Sequence, residues 1–238
     1  MKIEVLFPEI CNLYGDLANI RYLQRASKEI EVINTSLKDE PFFKNNKPDL
    51  IYMGTMTEKS QEIVIEKLKE YKDRIKELID EGVHFLITGN ALEIFGKSII
   101  DEDGKEIECL NIYDTVAKRD MMNRFNSLYV GEYNNIKIVG YKSQFTHSYG
   151  NNDKNYFMKT LRSVGMNPKT DNEGIKINNF YATYVIGPIL ILNPIFTEYL
   201  LDSIGLKKYK LAYKEEALDA YNSRLHDYME PGRGIYYK

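Results

Sequence analysis

The chain has 238 residues, 43% of them hydrophobic and 28% charged, with a formal net charge of −3. At about 150 residues per domain this is one large domain or two small ones, and the mixture excludes a disordered chain. The near-balanced charge gives no general pull toward nucleic acid or anionic lipid, two cysteines cannot build a disulfide framework, and three histidines without a paired-ligand pattern argue against a metal site.

No segment reaches the ~20 apolar residues that span a bilayer, and residues 3–7 are too short a run for a signal peptide. The expectation is a cytoplasmic protein with no nucleic-acid or membrane partner. Residues 3–7 read as a first strand. A helix follows the Tyr14-Gly15 turn, with Asp16 as its N-cap and Leu17, Ile20 and Leu23 on one face. Residues 31–37 and 49–54 read as further strands. Val64, Leu68, Tyr71, Ile75 and Leu78 form a continuous stripe that predicts one long helix over 58–80, closed by Gly82. Residues 83–88 are then a buried strand running into Gly89-Asn90.

This alternation predicts an α/β fold of three α/β/α layers around a mostly parallel sheet. Such sheets carry their sites at the carboxyl ends of the strands, so the loops over 8–15, 54–58 and 88–92 are candidates for one crevice. The second half predicts hairpins at Asp103-Gly104 and Asn134-Asn135 and a long polar loop over 141–150. A strand follows over 180–185, then a helix over 193–204 with Asn193 as N-cap and Pro194 at its first position. A last helix over 215–228 leads into a tail, 228–238, that suits docking or an ordinary terminus. Residues 1–208 are expected to form the main domain, with 209–238 packed on it.

Three segments, in order, carry a resemblance. Residues 12–20 read Asn-Leu-Tyr-Gly-Asp-Leu-Ala-Asn-Ile, residues 83–88 lead into Gly89, and residues 182–190 read Ala-Thr-Tyr-Val-Ile-Gly-Pro-Ile-Leu. They resemble the N-L-Y-G-D-x-x-N-I, I-C-G-G-Y-Q-x-L-G and G-T-Y-L-H-G-P-L-L motifs of class I glutamine amidotransferases of the cobyric acid synthase type. Among these the likeness is to the glutaminase subunit of lipid II isoglutaminyl synthase. The family hydrolyses glutamine with a cysteine nucleophile and a histidine base and needs no cofactor. It passes ammonia to an ATP-dependent Mur-ligase-like subunit, so the resemblance implies such a partner and a cell-wall role.

Read against those motifs, Thr88 stands at the nucleophile position and Ile186 at the base position. The turn from Thr88 to Gly96 is then one residue too long. Losing either member of such a pair typically costs about six orders of magnitude in turnover. The expectation is a degenerate amidotransferase without glutaminase activity, acting as a ligand-binding or ligase-partner subunit. The alternative is an active amidotransferase or hydrolase with another catalytic set, such as Thr88 with His147. Gly54 follows the third strand where the family builds its oxyanion hole. Arg124 resembles the arginine that grips the glutamine carboxylate. Gly54, Gly89, Asn90, Arg124, Gln144 and His147 are the candidate ligand-binding residues, for an amino-acid-like small ligand.

Overall fold

The computed structural model describes residues 1–232; the expected tail lies outside the described residues from 233 onward. The first half of the chain winds in parallel: β1 (Lys2–Leu6), α1 (Ala18–Ala26), β2 (Glu31–Thr35), β3 (Leu50–Met53), α2 (Glu58–Lys69), α3 (Lys72–Asp80) and β4 (His84–Thr88). A 3-10 segment, Gly89–Phe95, leaves β4. Seven strands follow, paired antiparallel except for the parallel pair β5 and β7: β5 (Ser98–Ile100), β6 (Glu106–Glu108), β7 (Thr115–Arg119), β8 (Phe125–Tyr133), β9 (Ile136–Gln144), β10 (Thr146–Gly150) and β11 (Met158–Arg162). The chain then adds β12 (Asn172–Glu173), β13 (Ile175–Ile177), β14 (Phe180–Thr183), α4 (Ile189–Leu192), α5 (Pro194–Ile204) and α6 (Lys214–Met229).

The main sheet has the order β13-β14-β4-β3-β1-β2, parallel except for edge strand β13. Its four inner strands, β14, β4, β3 and most of β1, are buried on both faces and alternate between two cores. Ile51 and Met53 join α2 and α3 on one side, while Leu50 and Tyr52 join α1, α4 and α5 on the other. Two smaller sheets, β10-β7-β5-β6 and β12-β11-β8-β9, extend these two cores. The hairpins at 103–104 and 134–135 form as expected, with Ile99 opposite Ile107 and Tyr133 opposite Ile136. Among the described residues no helix is long and apolar enough to cross a membrane.

Four expectations are corrected. The helix over 58–80 is two helices, broken where Tyr71 turns its ring edge-on to Phe43, with centroids 5.7 Å apart. The apolar stripe nevertheless runs on through the break, because Val64, Leu68, Tyr71, Ile75 and Leu78 are all buried. The polar loop over 141–150 is instead the end of β9 and all of β10, separated by Phe145. Asp16 does not cap α1, whose N-cap is Leu17; its carboxylate turns inward to Thr55 and Thr88. Asn193 does not cap α5 with its side chain either. Its amide brackets the backbone of Val139, accepting from N–H and donating to C=O at 2.8 Å each, and also donates to Ile189 O. A buried strand edge takes the amide that a helix end would have used.

Candidate functional site

From β1 the chain moves to β2 on one side and β3 on the other, so the switch point lies between β1 and β3, at whose carboxyl ends ligands gather in such sheets. The floor there is a knot of buried polar groups. Asp16 accepts from Tyr14 N–H (3.1 Å) and Thr55 O–H (3.2 Å), and Thr88 Oγ1 lies 3.4 Å from the same carboxylate. Tyr52 donates to Asp16 O (3.0 Å), receives Asn19 Nδ2 (2.9 Å), and meets Thr88 Oγ1 at 3.3 Å. Burial pushes the Asp16 carboxyl above its ordinary range against these hydrogen bonds. Gly54 is needed for the approach: a Cβ there would lie 2.6 Å from both Asp16 Cβ and Cys11 O.

Thr88 has extended backbone (φ −120°, ψ 149°) and is 1% exposed. The left-handed turn comes one residue later, at Gly89, with φ +65°. A Cβ on Gly89 would fall 2.1 Å from Thr55 Oγ1, so the threonine fills the space that a side chain at the turn would occupy. Asn90 then ties the turn to the neighbouring loop. Its Oδ1 accepts from Met56 N–H (3.1 Å) and its Nδ2 donates to Met56 O (2.8 Å).

Above the floor lies a cavity of about 50 Å³ whose lining includes Tyr14, Thr55, Asn90, Arg124, Ser143 and Gln144. Arg124 is exposed, donates to Tyr14 Oη (3.0 Å) and lies over the Phe145 ring at 4.7 Å. Gln144 is 94% buried by the complement of its 6% exposure, and donates to Thr146 O (2.6 Å). Its Oε1 is buried and has no hydrogen-bond partner among the described residues. Of the six candidate binding residues, Asn90, Arg124 and Gln144 line the cavity, while Gly54 shapes the floor against Asp16 and Cys11, and Gly89 against Thr55.

His147 stands one step back. Its Nδ1 is 3.3 Å from Gln144 Nε2 and its ring meets Phe125 edge-on, while burial and then Lys142 hold it below the ordinary histidine range. The hydroxyl of Thr88 meets Tyr52 and Asp16, and no hydrogen bond joins it to His147. Both cysteines are buried, and burial pushes both thiols up, Cys109 to about 12. Tyr14, Thr55 and Ser143 escaped the sequence reading. Tyr14 and Thr55 lay inside named loops, but Ser143 sat in a segment read as loop, where no alternation of apolar side chains marked it.

The arrangement of parallel strands, switch point and glycine turn agrees with the similarities of the sequence. Residues 2–192 match the family described as CobB/CobQ-like glutamine amidotransferase domain. The chain belongs to that family. It is 30% identical over 200 residues to the lipid II isoglutaminyl synthase (glutamine-hydrolyzing) subunit GatD of Staphylococcus aureus (strain N315), covering 83% of this chain and 81% of that one. The corresponding subunit of Streptococcus pneumoniae (strain ATCC BAA-255 / R6) is 25% identical over 223 residues, with 88% and 82% covered. A glutamine amidotransferase crystal structure superposes with a TM-score of 0.57 at 10% identity, covering 85% of this chain and 99% of that one. PurLQS from Thermotoga maritima superposes at 0.51 and 13% identity, covering 94% and 98%. At those identities the two structures speak for the fold alone. Ile186, expected at the base position, is 3% exposed and bonded through its backbone to Tyr141 in both directions (3.1 and 2.9 Å).

Proposed function

We propose that this amidotransferase-like chain has lost glutamine hydrolysis and works as a binding subunit, through its crevice and toward a ligase-type partner. The observation that carries the reading is Gly89. A nucleophile in such folds sits on a sharp, strained strand-to-helix turn. Here the positive φ belongs to Gly89 and not to Thr88. Set at the cysteine of I-C-G-G-Y-Q-x-L-G, Gly89 also removes the extra residue before Gly96, since Thr88 then falls on the isoleucine and Glu93 on the glutamine. The nucleophile position therefore has no side chain, and Thr55 occupies the vacated space.

The rest of the pair fares no better. Ile186 offers no base, and Asn90 already uses the Met56 N–H that would face an oxyanion from the loop after β3. What survives is recognition: exposed Arg124 for an acidic group, in a lining it shares with Asn90, Ser143 and Gln144, which suits an amino-acid-like ligand. The relatives are subunits of a synthase, which supports a partner subunit for this chain; its Mur-ligase-like, ATP-dependent character is what the motif resemblance implies.

The test is ammonia release from glutamine by the chain alone and with a co-expressed ligase-type partner. The expected result is none above the uncatalysed rate. Steady release that disappears in Thr88→Ala would restore a hydrolase built on Thr88. Because Gly89 has no room for a Cβ, Thr88→Cys with Ile186→His should not restore turnover, whereas Gly89→Cys would first need Thr55→Gly.

A further inference from the structure

Behind the crevice floor, a line of buried polar side chains joins the elbow to the small sheet β10-β7-β5-β6. Glu93, on the 3-10 segment after the elbow, is 1% exposed. Its Oε2 accepts from Gln61 Nε2 (2.9 Å) and its Oε1 from Tyr184 O–H (3.0 Å). Gln61 Nε2 donates also to Asn90 O (2.7 Å), and Asn90 is the residue that brackets Met56. On the far side, Tyr184 Oη lies 2.6 Å from Ser148 Oγ, and Gln61 Oε1 accepts from Arg119 Nη2 (2.8 Å).

The charges around Glu93 come from several elements. From α2 the acid Glu58 faces it; from β7, Arg119; from the segment after β6, Cys109 and Tyr113; from the segment after β14, Tyr184. Of these only Arg119 is cationic. It reaches Glu93 through Gln61 and is itself held by Glu62 (3.1 Å) and Asp101 (3.4 Å). The carboxyl group is thus enclosed with two neutral hydrogen-bond donors and no direct cation.

We propose that Glu93, Gln61 and Tyr184 form a proton-operated latch that sets how firmly the crevice floor is held. With Glu93 protonated, its O–H donates to Tyr184 Oη and the phenol proton turns to Ser148 Oγ, so every group in the line has a partner. With Glu93 ionised, the proton has left to solvent and the phenol turns back to the carboxylate. A buried anion then rests on Gln61 and Tyr184 alone, which favours opening of the Gly89–Phe95 turn to admit water. Burial pushes the Glu93 carboxyl up to about 7, against the Gln61 and Tyr184 hydrogen bonds and the Arg119 charge, so the change falls at neutral pH. The consequence for binding rests on the crevice reading above, but the latch itself does not.

The experiment reads the full-length protein without ligand, so a hydrolysing or non-binding crevice would leave its outcome intact. Amide hydrogen exchange over residues 55–57 and 90–95, corrected for intrinsic pH dependence, is followed from pH 6 to 8, together with the Glu93 carboxyl ¹³C signal. Protection should fall about tenfold across that range in the wild type, as linkage to one proton requires. It should stay level in Glu93→Gln, whose amide mimics the protonated acid. Tyr184→Phe keeps Glu93 but removes a donor to the anion, and should move the carboxyl titration higher. A Glu93 signal titrating near 4.5, or parallel exchange profiles in wild type and Glu93→Gln, would overturn the latch. Should Glu93→Gln not fold, the wild-type carboxyl signal and Tyr184→Phe still decide it.

Discussion

Lys142 is fully buried, its ammonium donating to Val164 O (3.0 Å), Gly165 O (2.7 Å) and the equally buried Glu173 carboxylate, between the rings of Tyr129 and Tyr184. Burial lowers its proton affinity and Glu173 restores part of it. Lys142→Met strands the Glu173 charge and should cost about 3–5 kcal/mol, read by chemical denaturation; the double change with Glu173→Gln should cost less, because no charge is left unpaired. If the single and double variants cost the same, the pair contributes through shape and not charge. The same residue-level contrast separates Arg124 from Gln144. Arg124→Ala, at an exposed side chain, should weaken partner or ligand binding while stability stays within about 0.5 kcal/mol. Gln144→Ala also loses a buried hydrogen bond, so its stability loss, about 1 kcal/mol, must be measured beside any binding loss.

Elements show how far the sequence carries. The parallel strands and the stripe on α2 and α3 were legible because their buried residues are mostly apolar, in short unbroken runs or at period 3.6. The stretch from Tyr141 to Gly150 has a strict alternation of burial, yet its inward residues are Lys142, Gln144, Thr146 and Ser148. A polar interior erases the pattern that marks a strand, so the segment read as a loop and Ser143 was missed with it. The turn after β4 hides its geometry for a related reason: the letters Thr88-Gly89 do not show that the positive φ belongs to Gly89. Asn193 tests whether an element end or an inter-element clamp matters more. Asn193→Ser keeps a good capping side chain but releases the Val139 N–H and C=O, and should destabilise by about 2–4 kcal/mol. A loss under about 0.5 kcal/mol would mean that the Asn193 bracket holds little.

Across the whole molecule, two buried titrating groups bend stability in opposite directions. His84, on β4, has Nε2 3.2 Å from Ser203 Oγ of α5, and burial lowers it to about 4 from its ordinary 6.5. Its neutral form is the folded form, so its contribution is full above 6.5 and is lost as pH falls toward 4. Glu93 is raised, so its contribution is full below 4.5 and is lost as pH rises toward 7. The shift of Glu93 corresponds to about 3 kcal/mol over its full window, and that of the less enclosed His84 to about 1–2 kcal/mol after screening. Because the Glu93 loss between 4.5 and 7 exceeds the His84 gain between 4 and 6.5, the thermal midpoint should peak at about pH 4.5 and fall toward pH 7, each kcal/mol moving it by roughly 2–4 °C in a chain of this length. Thermal unfolding from about pH 3.5 to 8.5 checks the shape and two variants check the causes. Glu93→Gln should flatten the alkaline limb and move the optimum upward, while His84→Gln should flatten the acid limb alone. A midpoint that rises steadily to pH 8 in the wild type would show that other carboxylates outweigh Glu93. If instead Glu93→Gln keeps the alkaline fall, the fall has its origin elsewhere in the molecule.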